Sequence, residues 1–418
     1  MMKCGLLGHH LAHSYSPQIH AMLGDYSYEL FEKEPEELET FLKRGQWDGL
    51  NVTVPYKKAV IPFLDEMTPI AQRLGAVNTI VRQDGKLLGH NTDYYGFKML
   101  LDTLPIPLYL TKCLVLGSGG ASNTAAAVLR DEGANVVIIS RSGENNYNNL
   151  QLHKDARLIV NATPVGMYPN TGISPVPNVS HLKIFPCLQG VIDLIYNPAR
   201  TRLLLDAEAK YGDEDRRFNF RNGLLMLVAQ AKEAAEWFMG STISEDVIET
   251  IMDRLEYDML NVVLIGMPGC GKTTIGKLLS QKTGRRFVDT DEEIVRIAGK
   301  SIPEIFDQDG EEAFRDLETN VLAELGKQPG LIIATGGGCV TKERNYNLLH
   351  QNGEIFWIHR KLDDLSTAGR PLSQQNALHE MYRVREPMYD RWKDWCINNY
   401  ETPEEAVQQI MNVLEYDT

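Results

Sequence analysis

The stretch "LIGMPGCGKTTIG", residues 264 to 276, restricts the fold more tightly than any other part of this chain. From Gly266 to Thr273 it fits Gly-x-x-x-x-Gly-Lys-Ser/Thr in full. A loop of that composition leaves a strand, wraps its backbone amides round a phosphate and opens a helix, so it demands an α/β layer. Lys272 is placed to reach the transferring phosphate and the Thr273 hydroxyl to ligate Mg²⁺. Gly266, Gly269, Gly271 and Thr274 complete the nucleotide cradle. The motif alone leaves ATPases and GTPase switches open.

This loop begins only after residue 260, behind a second and different glycine turn. "KCLVLGSGGASNTAAAVLRDEGANVVIIS", from Lys112 to Ser140, reads as strand, turn, Ala-rich helix and strand, one βαβ unit. Gly117, Gly119, Gly120 and Ala121 lie where a dinucleotide pyrophosphate meets a helix N-terminus. Ser122 replaces the usual third glycine, so the match is partial, and a plain glycine turn would look much the same. The second strand ends in Ser140-Arg141-Ser142, with no acid to hold a ribose 2′-hydroxyl. A guanidinium between two hydroxyls suits a 2′-phosphate, which favours NADP(H) over NAD.

Two nucleotide signatures in 418 residues suit two or three domains. With 43 % hydrophobic and 23 % charged residues the composition is that of a soluble globular protein. No apolar run approaches the ~18 residues of a membrane span, and histidines interrupt the N-terminal apolar stretch before it could serve as a secretion signal. The 6 cysteines are scattered, without a Cys-x-x-Cys pair, which argues against zinc or disulfides and for a cytoplasmic setting. A net charge of -14 with no basic stripe excludes nucleic acid as a partner. Anionic ligands would fall to local arginines and backbone amides. Oligomeric state is not addressed by any of these features.

Three polar islands flank apolar stretches in the first hundred residues: "HSYSP" (13–17), "NVTVPYK" (51–57) and "GAVNT" to "GHNTD" (75–93). They supply the hydroxyls of Ser14, Ser16 and Thr53, the amides of Asn51, Asn78 and Asn91, one amine, Lys57, and one carboxylate, Asp93. That inventory suits a small polyhydroxylated substrate, with a Lys–Asp pair moving a proton while NADPH gives the hydride. Taken singly, each residue has a plainer reading as a turn former or a solvated side chain.

As an ordered set these motifs resemble shikimate dehydrogenase over residues 1 to about 255. Ser-x-Ser-Pro, Asn-Val-Thr-x-Pro-x-Lys, Ala-Val-Asn-Thr, "NTDYYGF" and Gly-x-Gly-Gly-Ala are followed by "NATPVGM", "DLIYNPARTRLL" and "NGLLMLVAQA". The resemblance implies that Lys57 and Asp93 are the catalytic pair. It further implies that Ser14, Ser16, Thr53, Asn78 and Gln230 hold the substrate carboxylate and hydroxyls, and that Tyr196 closes the pocket. The late helices, 223–255, would return to the first domain. There are two departures. "GLLGHHLAHS" replaces a Gly-x-Pro opening, and only residues 142 to 160 separate Arg141 from Asn161, so a helix or strand of the NADP domain is expected to be shortened.

Beyond the P-loop, "FVDTDEEI" sets Asp289 and Asp291 at a strand end, one able to support Mg²⁺ and the other to accept a hydroxyl proton. Acids in that position also cap helices. Arg315 in "FRDLE", Gly336 to Gly338 in "IIATGGG", Arg370 in "GRPL" and Arg385 in "REPMY" follow. Spaced arginines in an acidic chain suit a carboxylate substrate and a phosphoryl transition state. This order resembles shikimate kinase over about 260 to 418, and fits it better than a gluconate kinase. The resemblance implies Asp291 as the base on the substrate hydroxyl, and Asp289 with Thr273 at the metal. Arg315 and Arg385 would clamp the carboxylate, Gly337 and Gly338 would lie beside the ring, and Arg370 would come from a lid.

The expected architecture is α/β throughout. A shikimate dehydrogenase-like substrate domain (1–102, with 223–255) and a Rossmann NADP domain (103–222) precede a linker at "EYDML", 256–260. A P-loop domain of the nucleoside-monophosphate-kinase kind (261–418) follows. The expected function is reduction of 3-dehydroshikimate to shikimate with NADPH, then phosphorylation to shikimate 3-phosphate with ATP and Mg²⁺. The alternative is a dehydrogenase for quinate or a related cyclohexane acid, fused to a kinase module that only binds.

Overall fold

The apolar runs beside the polar islands become strands of one mixed sheet. β1 (Lys3–Gly8), β2 (Ser27–Glu32), β3 (Gly49–Val52), β4 (Glu66–Met67), β5 (Thr79–Gln83) and β6 (Lys86–His90) take the order β2-β1-β3-β5-β6-β4. β1 runs parallel to both β2 and β3, while β5 is antiparallel to β3 and β6. Asp84 and Gly85, with φ of 50° and 78°, form the two-residue turn of the β5–β6 hairpin, the geometry an Asp-Gly pair favours. β3 stops at Val52 because Pro55 follows and has no amide to give a ladder. "EPEELETFLKRG" forms a 3₁₀ turn, Pro35–Glu37, followed by a short α-helix, Leu38–Arg44. Gly45 then continues in extended backbone (φ -63°, ψ 146°), so the helix ends without a left-handed cap.

The computed structural model describes residues 1–11, 14–176, 182–212, 218–365 and 375–416. By its contacts the chain divides into two units. Unit 1 comprises Met1–Gly166, Ile173–Tyr196 and Asp206–Met252, and unit 2 comprises Met167–Gly172, Asn197–Leu205 and Asp253–Thr418.

Unit 1 holds a second sheet. β7 (Lys112–Leu116), β8 (Asn135–Ile139), β9 (Leu158–Asn161), β10 (Gly190–Asp193) and β11 (Asn219–Arg221) are parallel in the order β11-β10-β9-β7-β8. After β8 the chain reverses to the far side of β7, so the strand order switches direction between β7 and β9, where open α/β sheets bind ligands. Between β8 and β9 the described chain contains no α-helix. Asn side chains close the loop, with the Asn146 amide donating to Asn149 Oδ1 at 2.8 Å, and one 3₁₀ turn, Leu150–His153, leads into β9. The helix Leu224–Met239 ends at Gly240 in the left-handed region (φ 64°) and lies against the helix Asp93–Asp102.

Unit 2 contains β12 (Asn261–Ile265), β13 (Phe287–Asp289), β14 (Ile332–Ala334), β15 (Gly353–His359) and β16 (Trp395–Asn398), parallel in the order β13-β14-β12-β15-β16. All of β12 is buried, which is why it reads as an unbroken "NVVLI" rather than an alternation. The stretch expected as a linker is helical: Asp246–Met259 runs through residues 256 to 259. Arg285 fastens its end, donating to the carbonyls of Leu260 (2.6 Å) and Tyr257 and lying 4.3 Å from the Tyr257 ring centroid. Within the same unit the Arg200 amide donates to the Gln351 carbonyl at 2.8 Å, and the Arg200 guanidinium reaches the carbonyls of His350 and Gly353 at 3.1 and 3.3 Å. Among the described residues no helix is long and apolar enough to cross a membrane, and the 6 cysteines are free thiols.

Candidate active sites

In unit 1 two of the polar islands, "NVTVPYK" and "GAVNT" to "GHNTD", share one network. Lys57 Nζ lies 2.6 Å from Asp93 Oδ2, with 25 % and 12 % of the two side chains exposed, enough for a substrate to reach the ammonium. Asp93 is the first residue of its helix, where free amides favour a carboxylate. Its other oxygen accepts from Asn78 Nδ2 at 2.9 Å, and that nitrogen is also 3.4 Å from Gln230 Oε1. Gln230 is presented by the helix Leu224–Met239, which approaches closely because Gly96 faces it: a Cβ on Gly96 would come within 2.6 Å of the Met226 carbonyl.

Ser14 Oγ accepts from the Ser16 amide at 3.2 Å, and Ser16 begins the helix Ser16–Leu23. Thr53 is half-buried just past β3, with its amide on the Leu7 carbonyl at 2.9 Å. Tyr196 stands apart from this network, edge-on to Tyr15 with ring centroids 6.0 Å apart. Burial, with Tyr15 beside it, pushes its phenol up to about 12, so it is a neutral hydrogen-bonding group at ordinary pH.

At the β7 turn Gly117 has φ 111°, a conformation only glycine takes without strain. Gly119 caps the helix Gly120–Asp131, and a Cβ at either Gly119 or Gly120 would meet nothing within 4 Å. The helix N-terminus therefore faces open space, the cradle a pyrophosphate needs. Ser122 fits in place of the third glycine because its buried hydroxyl turns back to the Gly117 carbonyl at 2.7 Å. Ala121 is the next residue of the helix, and Arg141 is exposed beyond β8.

In unit 2 the P-loop glycines Gly266, Gly269 and Gly271 have φ of 139°, 83° and 105°. The helix Lys272–Thr283 starts with the buried Lys272, whose ammonium lies on the carbonyls of Gly266 (2.9 Å) and Met267 (3.0 Å), with Thr274 exposed two residues on. Asn399 fixes the loop from outside by donating to the Cys270 carbonyl at 2.8 Å. Thr273 Oγ1 and Asp289 Oδ2 are 2.8 Å apart, while Asp289 Oδ1 accepts from the Asp291 amide at 3.0 Å. The cap and the metal readings of Asp289 thus use different oxygens. A hydroxyl and one carboxylate suit Mg²⁺, which takes few protein ligands and completes its shell with phosphate and water.

Arg315 is buried and donates to Glu318 Oε2 at 2.8 Å and, more loosely, to Glu311 at 3.5 Å. Burial works against its charge, but the two glutamates outweigh that and hold it firmly protonated. Burial pushes the Glu318 carboxyl up, with Arg315 opposing. Gly338 has no room for a side chain, since a Cβ there would collide with the Arg315 guanidinium. Arg385 donates to the Gly337 carbonyl at 3.1 Å, and Tyr389 OH donates to the same oxygen at 2.5 Å. Arg370, expected from a lid, lies outside the described residues.

Sequence reasoning passed over Glu318, Asn399 and Tyr389. Glu318 carried a usable signal, since an acid three residues beyond an arginine on a helix faces it. Asn399 carried none, being 129 residues from the carbonyl it holds.

The fold and these two sites define a class: an α/β protein carrying a Rossmann turn with a Lys–Asp pair and, separately, a P-loop with a strand-end acid pair. The chain belongs to the shikimate dehydrogenase family. Residues 6–80 match the family model "Shikimate dehydrogenase substrate binding domain", and residues 268–415 match that for "Shikimate kinase". The shikimate dehydrogenase (NADP(+)) of Clostridium beijerinckii is 36 % identical over 256 residues, covering 56 % of this chain and 90 % of the relative. The crystal structure of the Thermus thermophilus shikimate 5-dehydrogenase in complex with NADP(H) and shikimate is 35 % identical, with a TM-score of 0.54, covering 61 % of this chain and 99 % of that one. A chorismate mutase/shikimate 5-dehydrogenase fusion protein from Clostridium acetobutylicum matches at 34 % identity and a TM-score of 0.56, over 61 % of this chain and 97 % of its own.

Proposed function

We propose that this chain catalyses two successive reactions: unit 1 reduces 3-dehydroshikimate to shikimate with NADPH, and unit 2 phosphorylates shikimate with ATP and Mg²⁺. The observation that carries the reading is the Lys57–Asp93 pair at 2.6 Å, held by Asn78 and within one hydrogen-bonded network of Gln230. It gains weight from a complete P-loop in the same chain, in a region matching shikimate kinase, because one reaction makes what the other consumes.

Gly117, Gly119, Gly120 and Ala121 would hold NADPH, with Arg141 serving its 2′-phosphate, and the bound cofactor would supply the hydride. Lys57 hands a proton to the carbonyl oxygen being reduced, and Asp93 keeps the ammonium aimed. Ser14 and Ser16 receive the substrate carboxylate, Thr53, Asn78 and Gln230 its hydroxyls, and Tyr196 covers the ring. In unit 2, ATP supplies the phosphoryl group, and Thr273 with Asp289 would hold Mg²⁺. Asp291 takes the proton from the shikimate hydroxyl, while Arg315 and Arg385 hold the carboxylate and Gly337 and Gly338 lie beside the ring. Lys272 neutralises charge on the transferring phosphate.

The test is a pair of assays on the intact protein, shikimate or quinate with NADP⁺, and the same acids with ATP and Mg²⁺. Shikimate should serve as substrate in both. Quinate oxidised in preference, with no ATP consumed, would point to a quinate dehydrogenase joined to a binding module instead.

A further inference from the structure

Tyr28 lies on β2, in none of the motifs, yet its hydroxyl donates to Asn51 Oδ1 at 2.8 Å. Its ring stacks on His20, with centroids 3.9 Å apart and planes at 9°, and His20 is tied to the Tyr26 hydroxyl at 2.7 Å. A bond accepted by Oδ1 commits the Asn51 amide nitrogen to the other side. There Nδ2 reaches Thr79 Oγ1 at 3.3 Å and the Asn78 carbonyl at 3.5 Å. Thr79 passes the order on, donating to Asn78 Oδ1 at 3.2 Å, and the Thr92 amide donates to the same oxygen at 2.7 Å. With its oxygen engaged, Asn78 turns only Nδ2 toward Asp93, whose second oxygen meets Lys57. Asn51, Asn78, Thr79 and Thr92 are all buried, so water offers no easy substitute for a lost link.

We propose that Tyr28 is a positioning residue for the dehydrogenase: its hydroxyl sets the Asn51 and Asn78 amides and, through them, the Lys57–Asp93 pair. This rests on reading Lys57 and Asp93 as the proton-transfer pair. Tyr28→Phe keeps the ring stack and removes one hydroxyl. With shikimate and NADP⁺ its kcat should fall by at least about tenfold, as small misplacements of reacting groups do. KM for shikimate should change by a smaller factor than kcat, because Asn78 also meets the substrate hydroxyls while the larger loss falls on the chemical step. Thr79→Val breaks the same chain further along and should behave alike. The double variant should then be no worse than the poorer single one.

An unchanged kcat, a rise in KM alone, or losses that multiply in the double variant would each overturn the proposal. If Tyr28→Phe does not fold, Thr79→Val carries the test by itself, with the same split expected and an unchanged kcat contradicting it. Lys57→Ala is assayed alongside. Turnover surviving in Lys57→Ala would instead overturn the catalytic reading on which the proposal stands.

Discussion

Gly338 shows how tightly one residue can be specified. A Cβ there meets the Arg315 guanidinium, which is buried and tied to Glu318 at 2.8 Å, so making room for it means disturbing that ion pair. Gly338→Ala should weaken shikimate binding in the kinase assay by roughly 1–3 kcal/mol, the usual cost of overpacking, and leave NADP-linked turnover intact. A kinase KM for shikimate equal to wild type would mean the carboxylate is held elsewhere. Arg141→Ser should raise KM for NADP⁺ by a loss of about 1–3 kcal/mol, with little effect on NAD⁺. An unchanged NADP⁺/NAD⁺ preference would place the 2′-phosphate on another group. His20 carries a pH prediction. Burial lowers its pKa from 6.5 to about 3. The unfolded chain therefore takes up a proton below 6.5 that the folded chain refuses until about 3. Its contribution is full above that window and is lost on acidification by about 1.4 kcal/mol per pH unit. Denaturant melts at pH 7 and pH 5 should show the loss, and His20→Gln should flatten it. Equal slopes in the two proteins would contradict the assignment. At this scale the glycine turns and the acid pair were readable because they are local patterns, whereas Lys57 and Asp93, 36 residues apart, were joined only by the order of the motifs that carry them. Ser122 was readable as a departure but not as a solution, since its bond to the Gly117 carbonyl depends on how helix meets strand.

Helices and strands were legible where their periodicity was unmixed, as in "NVVLI" and "LLMLVAQAKEAAEWFM". Their ends were harder to read where no strong turn signal marks them. "EYDML" looked like a linker, but nothing in it breaks a helix, and Arg285, 25 residues on, holds the last turn in place. The segment 142–160 was expected to be short, and its replacement by asparagine-closed turns follows from side chains that compete with a helical backbone. Gly96 tests the packing of the helix Leu224–Met239 against Asp93–Asp102. Gly96→Ala should push the helices apart at Met226 and Gln230, lowering unit 1 stability by about 1–3 kcal/mol and dehydrogenase kcat with it. Unaltered melting and turnover would show that the close approach has slack.

For the whole molecule, the proposed site residues divide by unit: Lys57, Asp93 and Gln230 lie in unit 1, and Lys272, Asp289, Asp291, Arg315 and Arg385 in unit 2. Unit 2 nevertheless takes in residues 197–205, whose Arg200 donates to the carbonyls of His350, Gln351 and Gly353. The pattern "DLIYNPARTRLL", residues 193–204, had pointed to the dehydrogenase part instead. A fragment 253–418 should therefore still phosphorylate shikimate but melt below the corresponding transition of the intact chain, having lost hydrogen bonds worth about 1 kcal/mol each. Equal melting points would show that the segment adds nothing to unit 2. The most direct measurement of the central claim, two separate active sites in one chain, is the pair of reciprocal knockouts assayed for both reactions. Lys57→Ala should abolish NADP⁺ reduction by shikimate and leave ATP-dependent phosphorylation near wild type, and Lys272→Ala should do the reverse. Loss of both activities from either substitution, in protein that remains folded, would contradict it.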